Sequence, residues 1–488
     1  MKPIVNIQNI HFQYGSNVVL NDFFFKINKG EHWMIGGKSG SGKTTLAKII
    51  AGEITSFTGE IERIFDEESE LPEMVYLVSS WEKFTDLQGD RNFYYQQRYN
   101  SFAQNQTKTV LQELEKFASD FDLSIADAEP FLNAFGFQNF REQQLIELSS
   151  GEHKKLQLTK ALWLQPQLLL IDQPYTGLDV QARKYLNEFL INVSKKGSTL
   201  LLINNDDEYP KCITHFAEIS EGKLHAVADP HYFSKEIKRQ KKTLPLFLQK
   251  KNRSDEVFIE MKNISVSYGE KEVLKNVSWK VKQGETWLVQ GHNGSGKSTL
   301  LSLITGDHPQ AYNNGVHLFG NQRGSGESIW EIKEKIGMIS PELHWYFDLN
   351  ANVAQTVASG FFDSMSLYKK LTFEQQQKLD QLLYFFDLKE DKNKKLNTLS
   401  VGKQRLALLA RTLVKSPEIL ILDEPCQGLD PQQTEYFNAV IDDLCSSGQT
   451  LIYVGHFETQ LPKCIANKLV LENGKVKNST VNFSNSKL

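Results

Sequence analysis

The chain has 488 residues, enough for two to four domains with full hydrophobic cores. Its 40% hydrophobic and 23% charged content fits an ordinary globular protein, and a formal net charge of -4 excludes a global pull toward nucleic acid or anionic membrane. Four cysteines, Cys212, Cys426, Cys445 and Cys464, show neither a disulfide framework nor paired metal spacing and are expected to be reduced thiols in a cytoplasmic setting.

Taken in chain order, MKPIVNIQNI opens without a basic region followed by an apolar one, so it does not read as a secretion signal. Tyr14 then starts "YGSNVVLNDFFFKINKGEHWMIGGKSGSGKTTLAKIIAGE", in which an apolar strand (MIGG) runs through a glycine-rich loop into a helix. "LSSGE" follows at 148–152. The apolar run Leu168-Leu169-Leu170-Ile171 is expected to be a buried strand ending on Asp172, with Gln173 next. "TLLLIN" is a further strand, and "PKCITHFAEI" closes the unit. The basic stretch 229–256 is expected to be a solvated tether.

After the tether the pattern is written again. "YGEKEVLKNVSWKVKQGETWLVQGHNGSGKSTLLSLITGD" starts at Tyr268, and Lys297 repeats Lys43 254 positions later. "LSVGK" (399–403), "ILILD" ending on Asp423, "TLIYVG" and "PKCIANKLVL" repeat the later landmarks, Asp423 lying 251 positions after Asp172. Two homologous domains are therefore expected, 1–228 and 257–488, joined by the linker 229–256. Strands alternating with helical stretches such as "GKQRLALLARTLVKS" predict an α/β fold with a mainly parallel sheet in each domain. No apolar run approaches the roughly 18 residues a membrane-spanning helix needs, so a membrane role would require a separate partner chain. Trp33 and Trp287 are expected to be core residues.

The glycine loops carry the chemistry. Gly37-Lys38-Ser39-Gly40-Ser41-Gly42-Lys43-Thr44 and Gly291-His292-Asn293-Gly294-Ser295-Gly296-Lys297-Ser298 both fit G-x-x-x-x-G-K-[ST], each between a strand and a helix. A triphosphate is strongly anionic. Glycines let backbone N–H groups turn toward it, a helix N-terminus adds positive potential, and the lysine adds a full charge. The expected ATP contacts are Gly37, Gly40, Gly42, Lys43, Thr44 and Thr45 in the first copy, and Gly291, Asn293, Gly294, Gly296, Lys297, Ser298 and Thr299 in the second. The Thr44 and Ser298 hydroxyls, with Asp172 and Asp423, are expected to hold Mg²⁺. Tyr14 and Tyr268, each 29 residues before its lysine, are placed to stack on adenine.

Both halves resemble the ABC (ATP-binding cassette) ATPases: LSSGE and LSVGK resemble that family's signature LSGGQ, and GLD at 177–179 and 428–430 resembles its D-loop. The resemblance implies two P-loop NTPase domains in tandem, each with a helical signature subdomain, hydrolysing ATP. It also implies head-to-tail pairing of the two cassettes within one monomer. Ser149 and Gly151, and Ser400 and Gly402, then contact nucleotide from the opposite cassette. Glu424 is the implied general base, His456 the switch histidine and Lys297 the catalytic P-loop lysine. The site on the first P-loop has Gln173, Asn205 and LSVGK at the corresponding positions, so turnover is expected mainly at the site on the second P-loop. The stretch "LLSLITGDHPQAYNNGVHLFGNQRGSGESIWEIKEKIGMIS" is similar to tandem cassettes associated with molybdate transport, which implies separate permease subunits and a location at the inner face of the membrane. One departure opposes this. Where the family usually has a glutamine that couples nucleotide to the membrane subunit, "IGMISP" ends on Pro341 and "VYLVSS" on Ser80. Three classes stay open: an energising subunit, an ABC ATPase without a permease that acts on or senses a macromolecule, and a nucleotide-binding regulator.

Overall fold

The computed structural model describes residues 3–79, 108–228, 242–250 and 255–481, apart from 16, 39, 73, 140, 146–147, 149, 206–207, 269–270, 341–346, 348–349, 365–366, 368, 430 and 456–460. The chain divides into two compact units, Met1–Glu236 with Gly428–Gln432, and Ile237–Gln427 with Gln433–Leu488.

In the first unit, β1 (Pro3–Tyr14) pairs antiparallel with β2 (Asn17–Asn28) and with β4 (Thr58–Arg63). A second sheet runs β5 (Val75–Val78), β6 (Leu168–Asp172), β7 (Thr199–Ile203), β3 (Trp33–Gly36), β8 (His215–Ser220), β9 (Lys223–Val227). Its strands are parallel except β9, which returns antiparallel on β8. The central strands β6 and β7 are buried along their whole length, which explains why they read as unbroken apolar runs rather than alternating ones. Helix α1 (Lys43–Ala51) follows β3.

A helical layer adds α2 (Val110–Phe121), α3 (Glu129–Phe135) and α4 (Ser150–Leu164); α5 (Val180–Lys195) follows β6. Thr109 and Gln112 form a reciprocal capping box at the start of α2. Phe117, Phe131, Phe135 and Trp163 join Leu169 and Ile171 of β6 in one core, so the helical layer and the sheet are packed as one body.

The second unit repeats this plan. β11 (Lys271–Lys282), β10 (Val257–Tyr268), β13 (Gly315–Leu318) and β14 (Asn321–Gln322) form the antiparallel sheet. The mainly parallel one runs β15 (Ile336–Ile339), β16 (Ile419–Asp423), β17 (Thr450–Val454), β12 (Thr286–Gln290), β18 (Asn467–Glu472), β19 (Lys475–Thr480). Its helices are α6 (Lys297–Thr305), α7 (Ile329–Lys335), α8 (Val353–Ala358), α9 (Phe373–Phe385), α10 (Val401–Leu413) and α11 (Pro431–Ser446). The antiparallel sheets are an addition to the expected parallel core. Trp287 is buried as expected, whereas Trp33 is half-buried and stacks on His215 at 4.7 Å.

The basic stretch departs from the expected solvated tether. Residues 242–250 pack on the second unit, with Pro245 and Leu248 buried. Lys242 Nζ donates to Tyr384 O at 2.8 Å and pairs with Asp387. Lys250 Nζ donates to Ser416 O at 2.9 Å and lies 3.4 Å from Glu418. The Lys250 carbonyl would be 3.1 Å from a Cβ at Gly448, where φ is +95°, so this approach requires glycine. Within the apolar run Leu244–Leu248, Pro245 and Leu248 supply the burial that the surrounding lysines conceal, while Leu246 stays exposed.

Among the described residues, no helix is long and apolar enough to cross a membrane.

Candidate nucleotide sites

The first loop turns from β3 into α1 at Gly42, whose φ is +102° and where a Cβ would lie 2.9 Å from Val19 Cγ1. A side chain there would be both strained and blocked, so the glycine is demanded by geometry. Gly37 and Gly40 also have positive φ. Lys43 is buried, and its Nζ donates to Gly37 O and, at 2.8 Å, to Lys38 O, so the ammonium lies across the mouth of its own loop. Thr44 and Thr45 occupy the first turn of α1, its N–H groups facing the loop.

The second loop repeats the geometry. Gly296 has φ +100° and a Cβ there would come within 2.6 Å of Leu274 Cδ2; Gly294 has φ +77°. Lys297 Nζ donates to Gly291 O at 2.8 Å and His292 O at 3.1 Å, Asn293 lies within the loop, and Ser298 and Thr299 open α6.

The expected cation ligands converge in the first unit. Thr44 Oγ1 donates to Asp172 Oδ2 at 2.7 Å, joining a P-loop hydroxyl to the carboxylate at the end of β6. A hard hydroxyl and carboxylate pair of this kind fits Mg²⁺, which binds through oxygen and polarises phosphate oxygens. In the second unit Asp423 ends β16 in register with Val454, as Asp172 does with Ile203.

The next residue in each unit adopts a left-handed backbone: Gln173 has φ +51° and Glu424 φ +44°. Each donates its N–H to the neighbouring strand, Gln173 to Ile203 O at 2.9 Å and Glu424 to Val454 O at 3.1 Å. The residue three further on reaches the side chain in both, Thr176 Oγ1 to Gln173 Oε1 at 3.4 Å and Gln427 Nε2 to Glu424 Oε2 at 3.2 Å. Asn205 accepts from Gly37 N at 3.0 Å, fastening the amide side chain to the start of the first loop.

In the signature segments, Ser400 caps α10 and Gly402 is buried against Gln433, whose carbon would lie 2.6 Å from an added Cβ. Lys403 pairs with Asp391, which is buried. Gly151 is buried in the first turn of α4. Ser149, His456, Ser80 and Pro341 lie outside the described residues.

Tyr14 and Tyr268 end β1 and β10 with exposed rings, 55% and 50% accessible. Sequence reasoning overlooked Lys154, 1% exposed, whose Nζ bridges Ser79 O at 3.1 Å and Asp172 O at 3.0 Å. Arg405, also 1% exposed, holds the corresponding place and reaches Gln427 O at 3.5 Å. The signal was present: both cations lie 251 positions apart, two residues after the signature's fifth position.

The family model described as ABC transporter matches residues 20–176 and 274–427. The chain is 35% identical over 464 residues to the ABC transporter ATP-binding protein ModF of Escherichia coli K12, covering 91% of each. An uncharacterised ABC transporter ATP-binding protein of Schizosaccharomyces pombe is 30% identical, with 98% of this chain and 99% of that one covered. A solved nucleotide-free ATP-binding cassette from an ABC transporter is 24% identical, aligning with 47% of this chain and 94% of its own, with a TM-score of 0.42. Two matched segments on one chain, each with its own P-loop, assign this protein to the ATP-binding cassette family as a tandem ATPase.

Proposed function

We propose that the chain binds two ATP–Mg²⁺ at head-to-tail composite sites, each using one cassette's P-loop and the other's signature, and hydrolyses mainly at the site on the second P-loop. The observation that carries this reading is the shared backbone at Gln173 and Glu424, φ +51° and +44°. The strand end, the turn and the contact from three residues on are alike, and only Glu424 has a side chain able to take a proton from water. Loss of a positioned general base costs roughly 10²–10⁴ in rate, while binding survives on the loop and lysine. Asp172 with Thr44, and Asp423 with Ser298, would hold Mg²⁺ against the phosphates. Tyr14 and Tyr268 would stack on the adenines. Ser149 with Gly151, and Ser400 with Gly402, would close on the opposite nucleotide, and His456 would polarise the γ-phosphate beside Glu424. Phosphate release by wild type and by Glu424→Gln tests this; equal rates would overturn it.

The narrower proposal is an energising subunit for a separate membrane permease, with molybdate-type import as the class its sequence resemblance implies. Pro341 and Ser80, standing where the coupling glutamines usually stand, favour a second reading, an ATPase without a permease that acts on or senses a macromolecule. Pull-down of Glu424→Gln with ATP from separated membrane and soluble fractions discriminates the two: permease subunits support the first reading and soluble macromolecules the second.

A further inference from the structure

Tyr268 is held differently from Tyr14. Its hydroxyl lies 2.8 Å from His308 Nε2, and the two rings meet edge to face at 5.5 Å and 76°. His308 is 1% exposed and sits just beyond α6. Its Nδ1 accepts the Gln310 N–H at 3.1 Å, which leaves the ring hydrogen on Nε2 and makes the imidazole the donor to the phenol. Burial holds the His308 ring below its usual basicity, which keeps this neutral form. The same short segment grips the adjacent backbone. Gln310 Nε2 donates to Ser267 O at 2.6 Å and its Oε1 accepts Ser267 N–H at 3.2 Å, while Asn314 Oδ1 accepts Ser265 N–H at 3.2 Å.

Among the described residues of the first unit, no imidazole stands at the equivalent place. The residue 254 positions before His308 is Ile54, and Tyr14 packs instead on the edge of Phe12 at 4.8 Å and 90°.

We propose that His308 is a positioning residue for the second nucleotide site, fixing the plane of Tyr268 so that its face is ready for the base before ATP arrives. This rests on the reading of Tyr268 as the adenine-stacking residue. A half-exposed tyrosine at a strand end samples several rotamers, and a ring fixed in advance loses less entropy on binding. The effect therefore falls on ATP affinity at the hydrolysing site rather than on the chemical step.

The test measures KM and kcat for phosphate release in Tyr268→Phe, His308→Phe and the double variant, with thermal melting alongside. Each single change is expected to raise KM about three- to tenfold, the scale of one hydrogen bond, with kcat within about twofold. The double variant is expected to be no worse than either single, because both remove the same bond. His308→Gln, which keeps a donor, is expected to recover most of the loss. Should His308→Phe fold poorly, Tyr268→Phe removes the bond from the exposed side without touching the buried ring. Additive effects in the double variant, or an unchanged KM in Tyr268→Phe, would overturn the positioning role. Tyr268→Ala separates the two ideas: if it raises KM while Tyr268→Phe does not, stacking stands and positioning falls; if it has no effect, stacking itself falls.

Discussion

Gln173 and Glu424 occupy one backbone conformation, φ +51° and +44°, each directly after the aspartate that ends a buried strand. Neither is a glycine, so each unit holds a left-handed non-glycine residue that costs roughly 1–2 kcal/mol. The strain is retained in both units, yet a carboxylate stands in only one.

That difference predicts asymmetric chemistry. Glu424→Gln is expected to lower ATP hydrolysis about 10²-fold or more. Gln173→Glu is expected to change turnover little, because Asn205 and the Val401 and Lys403 departures of LSVGK remain. Comparable gains and losses from the two exchanges, measured by phosphate release, would sink the asymmetry.

Occupancy should be asymmetric too. Both loops have the turn and lysine that phosphate binding needs, so each chain is expected to load two nucleotides. Rapid gel filtration of the ATP-loaded wild type should leave about one intact ATP per chain, held at the site that lacks a base. Lys43→Ala should abolish that retained fraction. Recovery of ADP alone would count against a holding site.

Both cassettes stand on one chain, so pairing between them is expected to need no second copy. Specific activity should stay flat across about a hundredfold dilution, since a tethered partner is present at an effective concentration near millimolar. Light scattering should show no doubling of mass on addition of ATP. Activity that falls with dilution would mean that the sites form between chains.

Alkaline pH offers a stability test. Burial pushes the Cys426 thiol from 9.0 up to about 11, and Tyr453, which donates to its sulfur at 3.5 Å, is raised for the same reason. The folded chain then keeps protons that the unfolded chain has lost. The contribution of this pair to stability is therefore fully present below about pH 9 and declines from there toward about pH 11. Cys426→Ala should melt with a smaller loss between about pH 8 and pH 10.5 than the parent. An identical loss would show that other groups dominate.

At the acid end the sign reverses for His32. Its Nδ1 accepts Leu200 N–H at 3.2 Å, and burial, aided by His215, depresses its basicity. The unfolded chain takes up the proton first, so stability falls as pH drops below about 6.5. His32→Thr, which installs the residue found at the same place in the second unit (Thr286), should flatten that fall. Melting temperatures across that range that match the parent would refute the assignment.

The P-loops and the strand-end acids were legible because their chemistry is local: glycine, lysine and an apolar run sit within a dozen positions. The antiparallel sheets were not, since β1 and β10 carry register shifts that blur strict alternation and, beyond the hairpins with β2 and β11, pair with β4 and β13 tens of residues away. The Tyr268–His308 bond spans 40 positions, and no spacing rule connects them. The seat of 242–250 was concealed for another reason. Five residues, Leu244 to Leu248, are outnumbered in their neighbourhood by lysines, and two of those cations serve as anchors rather than as solvated charge.

That seat determines where the molecule can be cut. A fragment beginning at the repeat boundary, residue 257, would lose Leu248 from an interior position and leave Asp387, Glu418 and the Ser416 carbonyl without their lysine partners. A second cassette that starts before Lys242 is therefore expected to melt higher than one cut at residue 257, the boundary visible in the duplicated sequence.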